Sequence, residues 1–472
     1  MSTICAPATA PGGAMAVIRV SGPEAISITS HIFSKDLTQA KGYTLHYGNI
    51  LRPENKTTDN AKCSNNLASP DRIIDDVIVS VFRSPHSYTG EDSTEISCHG
   101  SRFIVQKIIE VLIQAGARMA TPGEFTKRAF LAGKMDLSQA EAVADLIASS
   151  NEATHRMAMS QMRGGFSREL DTLREQLLHI TSLLELELDF SDHDDIEFAD
   201  RTELTQLIDS LYRHIQQLTD SFRTGNALKT GIPVAIIGAP NVGKSTLMNA
   251  LVHEERAIVS DIQGTTRDLI EDTIQIEGIT FRFIDTAGIR KTTDRIEQMG
   301  IERSLQAAKK ADIIILLTEP NKNFPDIHIP HSPETPDLPI ILRVINKSDL
   351  VMPDSSFLYH RKQKDQDIHI SSMTGAGMPI LLSSLVSAAH QVLSVNQGND
   401  STIVTNLRHY EALHHALEAV ARVRHAIADN IPGDLIAEDL RQCLHHLAEI
   451  TGGEITSDAI LSNIFKNFCI GK

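Results

Sequence analysis

Apolar and polar positions alternate with a period of two in "GAMAVIRVSG" (residues 13–22) and "DDVIVSVFRS" (75–84), which predicts strands with one buried face. "SRFIVQKIIEVLIQAG" (101–116) has helical spacing instead, so residues 1–119 read as an α+β domain. Its polar stretch "ENKTTDNAKCSNNLASPD" reads as a surface loop. After "TPGEFTKRAFLAGKMDL" the pattern turns helical. Ser138 followed by Glu141 forms a capping-box signal, and the helical texture persists with breaks to about Thr219. Within it, the acidic "DFSDHDDIEFAD" lacks the glycine and terminal glutamate of an EF-hand loop and reads as a solvated connection.

From "PVAIIGAP" to about His390 the texture is strand, glycine loop and helix in repetition, which predicts a mainly parallel α/β unit. The Pro-rich "EPNKNFPDIHIPHSPETPDLP" is a loop within it. After the polar linker "SVNQGND" the chain is helical again. Helical sequence on both sides of one α/β unit predicts an insertion, with the two flanks packed as one helical domain. The expected divisions are 1–119, 120–222, 223–390 and 391–472.

Composition narrows the class. With 41% hydrophobic and 22% charged residues among 472, the chain has material for several folded domains. The start, broken by Pro7, Pro11, Gly12 and Gly13, has no basic leader, and "IIILL" (313–317) is too short to span a bilayer. A cytosolic protein without a membrane segment is expected. Five scattered cysteines without a CxxC pair argue against a disulfide framework or a zinc knuckle. The pairs His414-His415 and His445-His446 read as surface or half-buried residues rather than metal ligands. A net charge of -16 confines any RNA contact to local basic patches or a partner protein.

The chemistry lies in the α/β unit. "GAPNVGKS" is a P-loop with both glycines, Gly238 and Gly243, placed between the apolar "VAIIG" and the helical "STLMNAL". Its backbone N–H groups cradle phosphate at a helix N-terminus, Lys244 adds a point charge, and Ser245 offers an oxygen to magnesium. Asp285, at the end of "FRFID", can hold magnesium through water, and Gly288 can approach the γ phosphate. In "NKSD", Asp349 can accept from guanine N1 and N2 while Asn346 reaches N7. Adenine would leave Asp349 mismatched, so the nucleotide is GTP. In "SDIQGTTRD", Thr266 is the second magnesium ligand, and "SSM" closes over the base. The nucleotide contacts expected from these segments are Asn241, Val242, Gly243, Lys244, Ser245 and Thr246; Ser260, Asp261, Ile262, Gln263, Gly264, Thr265 and Thr266; Asp285, Thr286, Ala287 and Gly288; Asn346, Lys347, Ser348 and Asp349; and Ser371, Ser372 and Met373.

"DTAGIRK" (285–291) carries Ile289 where Ras-like GTPases place a water-orienting glutamine. Here "GAPNVGKS", "GTTRD", "DTAGIRKTTDRIEQMGIERS" and "NKSD" resemble the MnmE, or TrmE, family of tRNA modification GTPases, as do "PGEFTKRAFLAGKMDLSQAEAVADLI" and the terminal "FCIGK". The resemblance covers essentially the whole chain. It implies an N-terminal α+β folate-binding and dimerisation domain, a helical domain and an inserted G domain. It also implies a potassium ion in place of an arginine finger, held by the Asn241 side chain and by carbonyls of Ser260, Ile262 and Thr265. Fixed charge there is worth roughly 10³ to 10⁵ in rate, or about 4 to 7 kcal/mol. Glu297 would orient the water. On the residues alone it ranks level with Asp294.

The resemblance further implies a second chemistry. With an FAD-dependent partner, in a heterotetramer built on a homodimer, the protein would place an aminomethyl-type group such as carboxymethylaminomethyl on C5 of the wobble uridine of certain tRNAs. The one-carbon donor would be 5-formyltetrahydrofolate or a related reduced folate, bound by Arg19, Glu95, Lys134 and Lys472. A carboxylate tail suits lysine or arginine, and pterin edge donors suit a carboxylate. Cys469 is the remaining candidate for chemistry; a free Cys near a helix end is more often packing. Two rivals stay open. One is a switching G protein of ribosome assembly, which would carry an appended RNA-binding domain. The other is a folate-dependent one-carbon transferase with a regulatory G domain.

Overall fold

The structure, a computed structural model, describes residues 2–52, 72–149, 151–189, 201–254, 272–284, 306–325, 339–351, 367–394, 403–429, 431, 433–453, 461, 464–466, 468 and 471. They fall into two compact units, 1–148 with 158–172 and 447–472, and 149–157 with 173–446. The loop "ENKTTDNAKCSNNLASPD", most of "DFSDHDDIEFAD", most of the Pro-rich segment and most of the linker "SVNQGND" lie outside the described residues.

In the first unit, β1 (Ile4–Pro7), β2 (Met15–Ser21), β3 (Thr44–Leu51), β4 (Ile73–Phe82), β5 (Ser93–His99) and β6 (Arg118–Met119) form one sheet in the order β3-β4-β5-β2-β1-β6. All pairings are antiparallel except β1 with β6. The alternation read from the sequence has a physical cause: Ala16, Ile18 and Val20 of β2 and Val77, Val79 and Val81 of β4 are buried in one core with α1 (Ala25–Ile32) and α2 (Arg102–Gln114). The opposite face carries Leu45, Tyr47, Ile78, Arg19 and Glu95.

Next come α3 (Glu124–Leu131) and α4 (Leu137–Ala148). Leu137 and Ala140 of α4 pack with Leu461 and Phe465 from the end of the chain, flanked by Phe130 and Phe468. The cap of α4 differs from the expectation. Ser138 is buried inside the helix, and the reciprocal pair is Asp136 with Gln139. The Gln139 amide donates to Asp136 Oδ1 at 2.8 Å, and the Asp136 amide donates to Gln139 Oε1 at 2.9 Å. Aspartate caps as well as serine, and Ser138 instead accepts from Gln161 at 3.1 Å.

Then follow α5 (Glu152–Met162), α6 (Gly165–Asp189) and α7 (Arg201–Thr230). Helix α7 does not stop near Thr219. It runs on to Thr230, and Gly231, at φ 90°, turns the chain directly into β7 (Ile232–Gly238). The second sheet adds α8 (Lys244–Glu254), β8 (Asp272–Ile276), β9 (Ile279–Phe283), β10 (Ile313–Thr318), β11 (Ile340–Ile345), β12 (Ile368–His369) and α9 (Met378–Ser394). Its order is β12-β11-β10-β7-β9-β8, parallel throughout except for β8. Every residue of β10 is buried, which is why "IIILLT" shows no alternation.

Finally α10 (Leu407–Ala428) and α11 (Gly433–Thr451) return to helix. Helices on either side of the α/β unit touch: Phe222 of α7 stacks on Tyr410 of α10 with ring centroids 4.5 Å apart, and Arg424 pairs with Asp209 at 2.7 Å. The histidine pairs sit on α10 and α11, with the His415 and His446 rings 5.3 Å apart. Among the described residues, no helix is long and apolar enough to cross a membrane.

Candidate functional site

The sheet of the second unit reverses its order at β7: β9 lies on one side and β10 on the other. The loop leaving β7 therefore opens at the switch point of the sheet, where ligands reach the C-terminal ends of parallel strands. That loop is the P-loop. Asn241, at φ 63°, and Gly243, at φ 96°, bend it into a cradle that ends at the first turn of α8. A Cβ on Gly243 would stand 2.3 Å from Asn346 Nδ2, so close approach as well as backbone angle demands glycine. Lys244 donates to the carbonyls of Gly238 and Ala239 at 2.7 and 2.9 Å. Burial pushes its ammonium pKa down, because the charged form is desolvated there. The side chains of Asn241, Ser245 and Thr246 are exposed, while Val242 is buried beneath them.

Asn346 ties three motifs together. Only 2% exposed, it donates from Nδ2 to the Val242 carbonyl at 2.9 Å. Its Oδ1 accepts from the Ser372 amide at 3.0 Å and from the Ser372 hydroxyl at 2.9 Å. The amide group has a second hydrogen beyond the one given to Val242. Lys347, at φ 57°, reaches back to donate to the Asn241 carbonyl at 2.7 Å, and Glu319 holds the same ammonium at 2.5 Å. Ser348 and Ser371 are buried in the frame, whereas Asp349 and Met373, the latter 87% exposed, stand at its rim. The structure thus brings "GAPNVGKS", "NKSD" and "SSM" to one sheet edge.

In the first unit, Arg19 and Glu95 are register partners on β2 and β5. The guanidinium donates to Glu95 Oε1 at 2.9 Å through Nε and lies 2.8 Å away through Nη2. It sits 5.2 Å from the Tyr88 ring centroid and 5.7 Å from that of Phe125, and donates from Nη1 to the Gly471 carbonyl at 3.3 Å. Gly471, at φ 93°, lies so close to Pro7 that a Cβ would meet its carbonyl at 2.1 Å. Gly471 is thereby fixed beside Arg19. Lys134 is exposed, its side chain close to Gly90.

Ser260, Asp261, Ile262, Gln263, Gly264, Thr265, Thr266, Asp285, Thr286, Ala287, Gly288, Glu297, Cys469 and Lys472 lie outside the described residues. The described cysteines, Cys5, Cys98 and Cys443, are free and buried, and burial pushes the Cys443 thiol up to about 12. Glu319, Tyr88 and Phe125 are site residues that no sequence motif marked. A signal for Glu319 was present: it is the first acidic residue after the fully buried β10, at the same sheet edge as the P-loop.

A model of the MnmE helical domain matches residues 137–469, and a model of the GTP-binding protein TrmE N-terminus matches residues 3–134. The tRNA modification GTPase MnmE of Phocaeicola vulgatus is 52% identical over 497 residues, covering 100% of this chain and 99% of that one. Its counterpart in Parabacteroides distasonis is 52% identical over 482 residues, with 100% of both chains covered. That of Flavobacterium johnsoniae is 48% identical over 487 residues, covering 100% of this chain and 99% of that one. Among solved structures, the G domain of the T. maritima FeoB iron transporter is 20% identical, covers 34% of this chain and 98% of that one, and has a TM-score of 0.21.

Proposed function

The chain belongs to the MnmE family of tRNA modification GTPases, and from that premise we propose a potassium-activated GTPase that acts with an FAD-dependent partner on the wobble uridine of certain tRNAs. The product is an aminomethyl-type substituent, such as carboxymethylaminomethyl, on C5, and the one-carbon donor is a reduced folate. The working assembly is a homodimer joined by the flavoprotein into a heterotetramer, with FAD on the partner.

The observation that supports potassium is the position of Asn241. Its carbonyl is occupied by Lys347 while its side chain is exposed at the apex of the P-loop, so the side-chain oxygen is the group left for an ion. Potassium, when bound, supplies the positive charge near the β–γ bridge that an arginine supplies in other GTPases. The chain's own part is to hold the phosphates on the P-loop amides and Lys244, to offer Ser245 and Thr266 to magnesium, and to orient water through Glu297. Asp349 and Asn346 select guanine, and Ser260, Ile262 and Thr265 complete the cation shell. For the folate, the opposed charges of Arg19 and Glu95 match a molecule with an acidic tail and a donor-rich pterin, and Lys134 and Lys472 add positive charge.

GTP turnover of the intact protein in potassium and in sodium, at equal ionic strength and with Asn241→Ala alongside, tests the reading. A large potassium stimulation that the variant loses is the expected result. Equal rates in the two salts would remove the cation from the mechanism.

A further inference from the structure

Three adjacent parallel strands, β7, β10 and β11, deliver Asn241, Glu319 and Lys347 to one edge of the sheet. Glu319 begins a turn closed by the Lys322 amide on the Glu319 carbonyl at 3.1 Å, with Asn321 at φ 63°. Thr318 braces the turn by donating to the Asn323 carbonyl at 3.2 Å. The turn fixes the backbone from which the carboxylate projects. Its Oε1 takes the Lys347 ammonium at 2.5 Å and its Oε2 takes Lys322 at 2.6 Å. Hydrogen bonds from Lys322 and Lys347 hold its pKa down to about 2, so it is ionised at neutral pH.

Lys347 has three donors on a flexible stem and no intrinsic reason to point at one carbonyl. Asn241, meanwhile, holds a left-handed backbone angle that is uncommon outside glycine. We propose that Glu319 is a positioning residue of the nucleotide site: it aims the Lys347 ammonium at the Asn241 carbonyl and so fixes the P-loop turn that presents the Asn241 side chain. The residue touches neither nucleotide nor ion and acts through Lys347. The inference rests on the guanine-nucleotide reading of this sheet edge.

The test compares Glu319→Gln, Glu319→Asp, Lys322→Ala, Lys347→Ala and the double variant Glu319→Gln/Lys347→Ala in the intact chain. The readouts are release of a fluorescent GDP analogue, the potassium concentration giving half-maximal GTP turnover, and the thermal midpoint. Glu319→Gln, which loses a charge-assisted bond, is expected to release GDP roughly tenfold faster. It should also need several-fold more potassium, with a thermal midpoint within about 2 °C of the parent. Glu319→Asp keeps the charge and falls between the two. Lys322→Ala stays within about twofold of the parent, and the double variant releases GDP no faster than Lys347→Ala alone. A parental GDP release rate in Glu319→Gln, or equal acceleration by Lys322→Ala, would overturn the proposal. If the parent ignores potassium, the cation reading fails alone, and GDP release still decides the role of Glu319.

Discussion

In the N-terminal sheet the charged pair Arg19–Glu95 stands on a face, between two antiparallel strands. In the nucleotide unit the charged groups Lys244, Glu319 and Lys347 stand at an edge, Glu319 and Lys347 in the loops that leave parallel strands and Lys244 at the start of α8. The difference follows from how the two sheets use their faces. An antiparallel sheet with helices on one side leaves the other side for chemistry, and cross-strand neighbours on it come from distant parts of the chain. A parallel sheet buries its strands on both faces, as β10 does, and leaves its C-terminal loops. Edge loops are contiguous sequence and read as motifs. Face sites are scattered and read as single residues.

The largest effect is expected on the N-terminal side. Glu124, largely buried, bridges Arg118 and Arg128, the latter only 4% exposed, and Arg128 also pairs with Glu91 at 2.9 Å. Burial pushes the Glu124 carboxyl pKa up, but Arg118, the Thr121 amide and Arg128 outweigh it and bring the value to about 2. Because the folded value lies below the ordinary 4.5, the stabilisation is present above that pH and is lost as pH falls toward 2. Glu124→Ala is expected to cost on the order of 3 kcal/mol at neutral pH, and less by pH 3. Hydrogen exchange of the α3 amides in the intact chain measures this. An equal cost at both pH values would show that the charge is not the cause.

A smaller effect sharpens the other side. Asn346→Ala unties the Val242 carbonyl from the Ser372 loop and leaves buried groups without partners, so a loss of about 2 kcal/mol is expected, seen as roughly 30-fold weaker GDP binding. Calorimetry on the intact protein checks it, and unchanged affinity would mean that the three motifs are held by their strands alone. Smallest is Arg19→Ala, expected to weaken binding of a reduced folate about tenfold, since the site is shared among several charges. Fluorescence titration with 5-formyltetrahydrofolate reads it. An unaltered titration would remove the face of the first sheet as the folate site.

The nucleotide site was the more legible of the two because "GAPNVGKS", "NKSD" and "SSM" each name their chemistry by residue order, and the apolar runs before them place each at a strand end. What the order did not disclose is that Asn346 spends its side chain joining the other two motifs, or that Glu319 grips Lys347. At the N-terminal site, Arg19 and Glu95 were named only through a family resemblance. The aromatic floor of Tyr88 and Phe125, and the seating of Gly471 beside Arg19, were not named at all. The helix cap was misplaced from Asp136 to Ser138 because the two residues offer similar oxygens two positions apart.

Periodicity, glycine positions and motif order are local properties, and they determined by themselves the fold class and the identity of the nucleotide. Which strand neighbours which is set by burial and hydrogen bonding between segments far apart in the chain, and no local pattern carries that information. Only the tertiary structure could therefore decide that β10 lies between β7 and β11, and so that the carboxylate of Glu319 and the ammonium of Lys347 meet behind the P-loop.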